Sequence, residues 1–312
     1  MANPGSLQSP TMLLTSHLEA MRPRQWTKNF IVFAAPLFAL SLSYKSLQDS
    51  VIAFFLFCFI SSSFYLLNDV LDYESDRVHP TKCRRPIASG RVSIPTAVMM
   101  AVSLMSVSLF TAWTKNAALG TIITIYAIVQ VAYNLKLKHM VILDVCTIAF
   151  GFVLRAYAGA AANQIGLSSW FVLCTAMLAL FLAIEKRKAE LRMSQISGKK
   201  TRKVLQEYST GLLNRMENVV TTSTLMSYTL WSAGPHMRGA STSSMLFTLP
   251  FVVYGLFRYQ MISEPKEGDE QNQKSERPDE VLLRDPSILF TVVGWALTCF
   301  TILYLKSNNW IR

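Results

Sequence analysis

The sequence predicts an all-α, polytopic membrane protein: a bundle of nine transmembrane helices with its long charged loops gathered at one membrane face. Two observations carry this expectation. The 312 residues are 51% hydrophobic, and the apolar residues fall into long blocks separated by charged segments. The bases are also lopsided. With nine spans and the N-terminus in the cytoplasm, 24 of the 30 Lys and Arg residues fall on the cytoplasmic side, five on the other, and Arg155 within a span. That asymmetry accounts for the net charge of +11 without invoking nucleic acid, and it puts every long charged loop on one face.

Residues 1–20 are polar and mixed, and read as a loose tail without the pattern of a cleaved signal peptide. Arg22, Arg24, Trp26 and Lys28 then make a basic, aromatic entry suited to a membrane interface. The first span is expected over about Phe30–Leu42, kinked at Pro36. Spans two to six are expected over about Ser50–Asn68, Ile94–Trp113, Ala117–Tyr133, Val141–Ala161 and Ser168–Ile184. A basic segment, Glu185–Arg215, follows the sixth, and its Lys199, Lys200, Arg202 and Lys203 read as a solvated or headgroup-facing run. Spans seven to nine are expected over about Val219–Gly234, Ser243–Phe257 and Pro286–Leu305. Residues 21–312 read as one domain, with a polar, acidic stretch over 264–280 expected to be disordered. The five cysteines show no metal-binding spacing, and four lie in apolar runs as small hydrophobes.

The stretch Asn68–Arg91 carries the strongest chemical signal. Asp69, Asp72 and Asp76 are spaced to share one helical face, with Asn68 at its edge. Like charges on one stripe repel unless a cation sits between them, and oxygen-only ligands suit Mg²⁺, which binds phosphate as well. Arg77, Lys82, Arg84, Arg85 and Arg91 follow as candidate phosphate ligands. A solvated helix end is the ordinary fate of such a cluster, but this one directly continues a bilayer-length apolar run. Metal-assisted departure of a diphosphate fits, from either a prenyl or a sugar donor.

Three further groups stand out. Tyr133, Lys136 and Lys138 open the short loop after span four, as phosphate ligands or as interfacial anchors. Asp144 and Arg155, eleven residues apart in span five, share a face and each needs a partner from elsewhere; for Arg155 a purely structural, interhelical role is the alternative. In EKRKAEL, residues 185–191, Lys186 and Arg187 reach Glu190 along the helix, as ordinary ion pairs or as a second anion-binding wall. His79, His139 and His236 form no metal set, and no Ser/His/Asp arrangement, P-loop or Rossmann glycine pattern occurs.

The pattern Asn68-Asp69-x-x-Asp72-x-x-x-Asp76 in a nine-span chain resembles the first aspartate-rich motif of the UbiA superfamily of intramembrane prenyltransferases. RPRQWTKNFIVFAAPLFA, DRVHPTKCRRPIASGRVS, YNLKLKHMVILDVCTIAFGFVLRAYAGA, EKRKAEL and LLRDPSIL resemble its decaprenyl-phosphate phosphoribosyltransferase branch. The resemblance implies Mg²⁺-dependent transfer of 5-phosphoribose from phosphoribosyl diphosphate to a polyprenyl phosphate, with loss of diphosphate. It further implies a bacterial-type inner membrane and a place in cell envelope biosynthesis. Prenyltransferases of the superfamily carry a second aspartate-rich motif after span six. Here that place holds Lys186-Arg187-Lys188 with Glu190, a cationic wall suited to a donor with an extra phosphate, and Glu185 stands where the branch is expected to have a small residue.

On this reading Asp69, Asp72 and Asp76 are the catalytic carboxylates and, with Asn68, the Mg²⁺ ligands. Asn68, Lys28, Lys82, Arg84, Arg85, Tyr133, Lys138, Asp144, Arg155, Lys186, Arg187 and Glu190 bind substrate. The alternatives are a UbiA-type prenyltransferase acting on an aromatic acceptor and, from another class, a membrane transporter or lipid-binding protein whose buried charges line a pathway.

Overall fold

Proline and a run of polar residues break the chain early, and long uninterrupted apolar stretches dominate the rest. The computed structural model describes residues 10–41, 43–197, 203–264 and 285–310. Helix α1 (Pro10–Ala20) leads through a 3₁₀ stretch (Pro23–Phe33) into α2 (Ala34–Phe38). Then come α3 (Tyr44–Leu71), the short α4 (Tyr73–Arg77), α5 (Ile94–Lys115), α6 (Ala117–Leu135), α7 (Leu143–Ala162) and α8 (Ser169–Ser197). The second half continues with α9 (Lys203–Gln206), α10 (Thr210–Ser232), a 3₁₀ turn (Ser243–Thr248) running into α11 (Leu249–Ser263), and α12 (Pro286–Ser307). Five of the long helices begin at a side chain that closes the first turn: Ser43, Ser93, Asn116, Ser209 and Asp285 each accept from the backbone N–H three residues on.

Among the described residues seven helical stretches are long and apolar enough to cross a bilayer: α3, α5, α6, α7, α8 as far as Ser194, Ser243–Ser263, and α12. They match seven of the nine expected spans. The first expected span is instead the broken 3₁₀ stretch and five-residue α2, with Asn29 and Val32 turned inward. The seventh lies within α10, which is long enough but carries Asn214, Arg215, Glu217 and Asn218 in its first turns. The tail expected to be loose contains α1, whose Ala20 is buried with Leu66, Ile87 and Val92. Hydrophobic contact with α3 therefore outweighs the polar composition there. The 264–280 expectation falls, from residue 265 on, outside the described residues, as do Lys199, Lys200, Arg202 and the side chain of Lys203.

The long helices alternate in direction and give the bundle two ends. One is tied by Lys115 to Asp49 (2.5 Å) and by Ser46 to Asn163 (2.6 Å). The other gathers the C-termini of α3, α6, α8 and α11 with the N-termini of α5, α7, α10 and α12. There Lys188 pairs with Glu217, and Arg258 with Asp285. Val32, Phe57, Ile60, Tyr126 and Leu154 fill the first half, while Phe181, Ile184, Leu213 and Tyr259 fill the second. Helix α7 packs against α3, α6 and α8. The 3₁₀ stretch lies flush on it at Gly159, where a Cβ would stand 1.9 Å from the Val32 carbonyl oxygen.

Candidate active site

Two ion-pair clusters sit at the second end of the bundle. The first forms where α3 stops. Asp72 leaves the helix at φ −90°, ψ 7°, and α4 begins after it. The expected single stripe is therefore broken: Asp69 and Asp76 are buried, while Asp72 is exposed at the corner and Asn68 is half-buried. Arg85, on the loop that returns to α5, bridges the two buried acids. Its Nη1 donates to Asp69 Oδ1 (3.0 Å) and to Asp76 Oδ2 (2.6 Å). Arg22 Nη2 donates to the same Asp69 Oδ1 at 2.5 Å, and Lys82 Nζ lies 3.8 Å from Asp76 Oδ1. Arg84 is exposed at the rim, where its carbonyl accepts from Arg91.

Arg22 comes from the hinge between α1 and the 3₁₀ stretch. It holds φ 55°, ψ 61°, a left-handed conformation that costs a non-glycine residue about 1 kcal/mol. Its guanidinium stacks over Tyr65 at 5.1 Å.

The second cluster joins α7, α8 and the chain entering α10. Asp144 is fully buried; its Oδ2 accepts from Arg187 Nε (2.6 Å) and its Oδ1 from the Tyr208 hydroxyl (2.7 Å). Arg187 Nη1 donates to Glu190 Oε2 at 2.5 Å, the pairing expected along the helix. The Tyr208 hydroxyl also accepts from the Ile142 N–H (2.8 Å), and Ile142 holds φ 71°, an outlier for a β-branched residue. Burial, and then the bond to Asp144, push the Tyr208 hydroxyl above its ordinary range. Tyr133 lies within electrostatic range of Arg187. Lys138 is half-buried in the 3₁₀ turn (Leu137–His139) between α6 and α7, and Lys186 is half-buried beside Arg187. On a neighbouring face of α8, Lys188 contacts Glu185 (3.1 Å) and Glu217, and Gln260 donates to Glu217 (2.8 Å).

Asp144 and Arg155 were expected to share a face, yet they serve different neighbours. Arg155 is buried in the first half, donating from Nε to Asn29 Oδ1 (2.6 Å), from Nη1 to the Gly151 carbonyl (2.8 Å) and from Nη2 to the Tyr126 hydroxyl (2.9 Å). The rings of Phe57, Tyr126 and Phe152 lie within 5.6 Å of its guanidinium carbon. Every guanidinium nitrogen of Arg155 is thus engaged within the bundle, in the interhelical role that its sequence context also offered. Lys28 is half-buried and within electrostatic range of the same Tyr126.

For the metal that the aspartates imply, the donor set fits. Asp69 and Asp76 offer hard oxygens around a point where the protein already seats a cationic nitrogen. Among the described residues no three His, Cys, Asp or Glu side chains converge on one point, so the protein offers two central carboxylates rather than three. Mg²⁺ ordinarily takes one or two carboxylates and completes its shell with phosphate and water.

Sequence reading missed Arg22 and Tyr208. Each contacts its aspartate across a long sequence separation, 47 residues for Arg22 and 64 for Tyr208. A basic residue placed immediately before the first apolar segment is the one signal that pointed toward Arg22.

Residues 29–276 match the model of the UbiA prenyltransferase family. The decaprenyl-phosphate phosphoribosyltransferase of Corynebacterium glutamicum is 35% identical over 96% of this chain and 90% of its own length. The enzyme of that name from Mycolicibacterium smegmatis is 35% identical over 95% of each chain. A solved UbiA homolog from Archaeoglobus fulgidus, bound to GPP and Mg²⁺, superposes with a TM-score of 0.69 at 20% identity, covering 93% of this chain and 99% of that one.

Proposed function

The chain belongs to the UbiA prenyltransferase family, and from that premise we propose that it transfers 5-phosphoribose from phosphoribosyl diphosphate to a polyprenyl phosphate. It is a multi-pass integral membrane protein and a transferase. The observation that carries the donor's identity is the buried Arg187, fixed by Asp144 and Glu190 where a prenyltransferase would place further acids. A preformed guanidinium suits a donor with a phosphate beyond its diphosphate.

Asp69 and Asp76, with Asp72 and Asn68 at the rim, would hold Mg²⁺, which when bound neutralises the leaving diphosphate. Lys82, Arg84 and Arg85 line the same loop and receive diphosphate oxygens. Arg187, Lys186, Tyr133 and Lys138 form a second wall for the remaining phosphate, and Lys28 is a further substrate-binding candidate. Asp144 and Glu190 act through Arg187 as positioning residues. An oxygen of the lipid phosphate attacks C1 of the ribose; the new C1–O bond forms as the C1–O bond to diphosphate breaks, and diphosphate leaves with the electron pair. The attacking phosphate is already an anion at neutral pH, so no strong base is required. The N-terminus and both clusters face the cytoplasm, the side where a soluble sugar donor is available.

The test supplies the purified protein with Mg²⁺, phosphoribosyl diphosphate and decaprenyl phosphate, and measures lipid-linked phosphoribose. Product is expected. No product, with turnover instead of a prenyl diphosphate and an aromatic acceptor, would return the chain to the prenyl-transferring chemistry of its family.

A further inference from the structure

We propose that Arg22 and Arg85 are exchangeable counter-ions. They neutralise Asp69 and Asp76 through the contacts described above, and they release these carboxylates and turn to diphosphate oxygens when a diphosphate arrives with its divalent cation. The inference rests on the diphosphate chemistry proposed above.

Three observations support the exchange. The guanidinium groups occupy the oxygens a cation would need: Asp69 Oδ1 accepts from Arg22 (2.5 Å) and Arg85 (3.0 Å), and Asp76 Oδ2 accepts from Arg85 (2.6 Å). The partners also differ in freedom. The Arg22 and Arg85 side chains are 31% and 29% exposed, whereas those of Asp69 and Asp76 are 3% and 2% exposed. The acids are fixed and the arginines border open space. Finally, Arg22 stands at a strained joint between two helical segments, with Tyr65 behind its guanidinium, so a turn of the side chain need not expose it fully.

Charge decides the order of events. Asp69, Asp76, Arg22 and Arg85 sum to zero, and Lys82 adds one positive charge. A divalent cation alone enters a site that is already neutralised and must compete with both arginines. A cation carrying diphosphate brings surplus negative charge, which the displaced guanidinium groups match with charge-assisted hydrogen bonds. Cation and diphosphate therefore tighten each other's binding, and the coupling is reciprocal. Arg22 and Arg85 contribute that coupling.

The test uses the full-length protein in detergent. Mn²⁺ binding without diphosphate is read by electron paramagnetic resonance, and radiolabelled inorganic diphosphate is measured with and without Mn²⁺. For the wild type, Mn²⁺ is expected to tighten diphosphate binding about tenfold or more. Arg22→Gln and Arg85→Gln should each bind Mn²⁺ several-fold more tightly in the absence of diphosphate, and each should lose most of the coupling. Arg22→Lys should retain part of it. Unchanged or weaker Mn²⁺ binding in both glutamine variants overturns the exchange, as does the unfolding of both, which would make the arginines structural. A wild type that fails to bind Mn²⁺ even with diphosphate rejects the metal assignment itself, and the exchange with it.

Discussion

The two charged clusters use the same chemistry in opposite ways. At the α3 corner the acids are buried and their basic partners are partly exposed; around Arg187 both partners are buried. The first arrangement lets the cations leave, whereas the second fixes the cation in place. A guanidinium with 2% of its side chain exposed, paired with a carboxylate at 0%, has no solvent to turn to. One end of the proposed site is thus built to be rearranged by its ligand, and the other is built before the ligand arrives. Charge-neutralising substitutions should separate the two through activity and stability measured side by side.

The largest effect is expected at the α3 corner and in activity alone. Asp76→Asn keeps the shape of the side chain but removes the charge that would hold a metal–diphosphate pair. Transfer should fall about a thousandfold, as for loss of a principal electrostatic contact in a reaction of this kind. The melting temperature should move little, because Arg85 and Lys82 can rehydrate at the surface. A variant as inactive but also strongly destabilised would show that this cluster, too, is part of the fixed frame.

The fold was more legible than the site, for a physical reason. Spans three and four end within two residues of their expected limits, because Ser93 and Asn116 close their helices and apolar composition fills them. Helix α8 runs well past the expected end at Ile184. Its charged continuation is held in the bundle by Arg187, Lys188 and Arg192, through Asp144, Glu217 and the Ser263 carbonyl. Those partners lie on three other helices, so no local pattern could announce them. In the site, residue types and spacing singled out Asp69 and Asp76, but not the break at Asp72 that turns it away from them. The pairing of Asp144 with Arg187 is a property of how α7 and α8 pack, as is the diversion of Arg155 to Asn29 and Tyr126.

The next effect should appear at the fixed cluster and in stability. Asp144→Ala leaves the buried Arg187 with only the partly exposed Glu190 as counter-ion and should cost about 3 kcal/mol. Denaturant or thermal unfolding in detergent measures it, and activity should fall along with the folded fraction. If stability is instead untouched, the Arg187 side chain has found another partner, and the preformed wall loses its basis.

Tyr208→Phe sharpens the comparison at the smallest scale. The hydroxyl donates to Asp144 and accepts from the Ile142 N–H, so its removal leaves the buried Asp144 carboxylate and that N–H with one bond fewer. The expected cost is about 1 kcal/mol, with a few-fold loss of transfer as the Asp144–Arg187 pair loosens. The pH dependence has a definite sign. Burial and the bond to Asp144 raise the hydroxyl's pKa in the folded protein above the ordinary tyrosine value of about 10. Its contribution to stability is therefore fully present below about pH 10 and is lost as the pH rises from there through the folded value. Wild-type stability should decline on that alkaline limb, and the Phe variant should decline less steeply. The same slope in both proteins would mean that the hydroxyl titrates as it does in the unfolded chain, and that the second cluster is as open to water as the first.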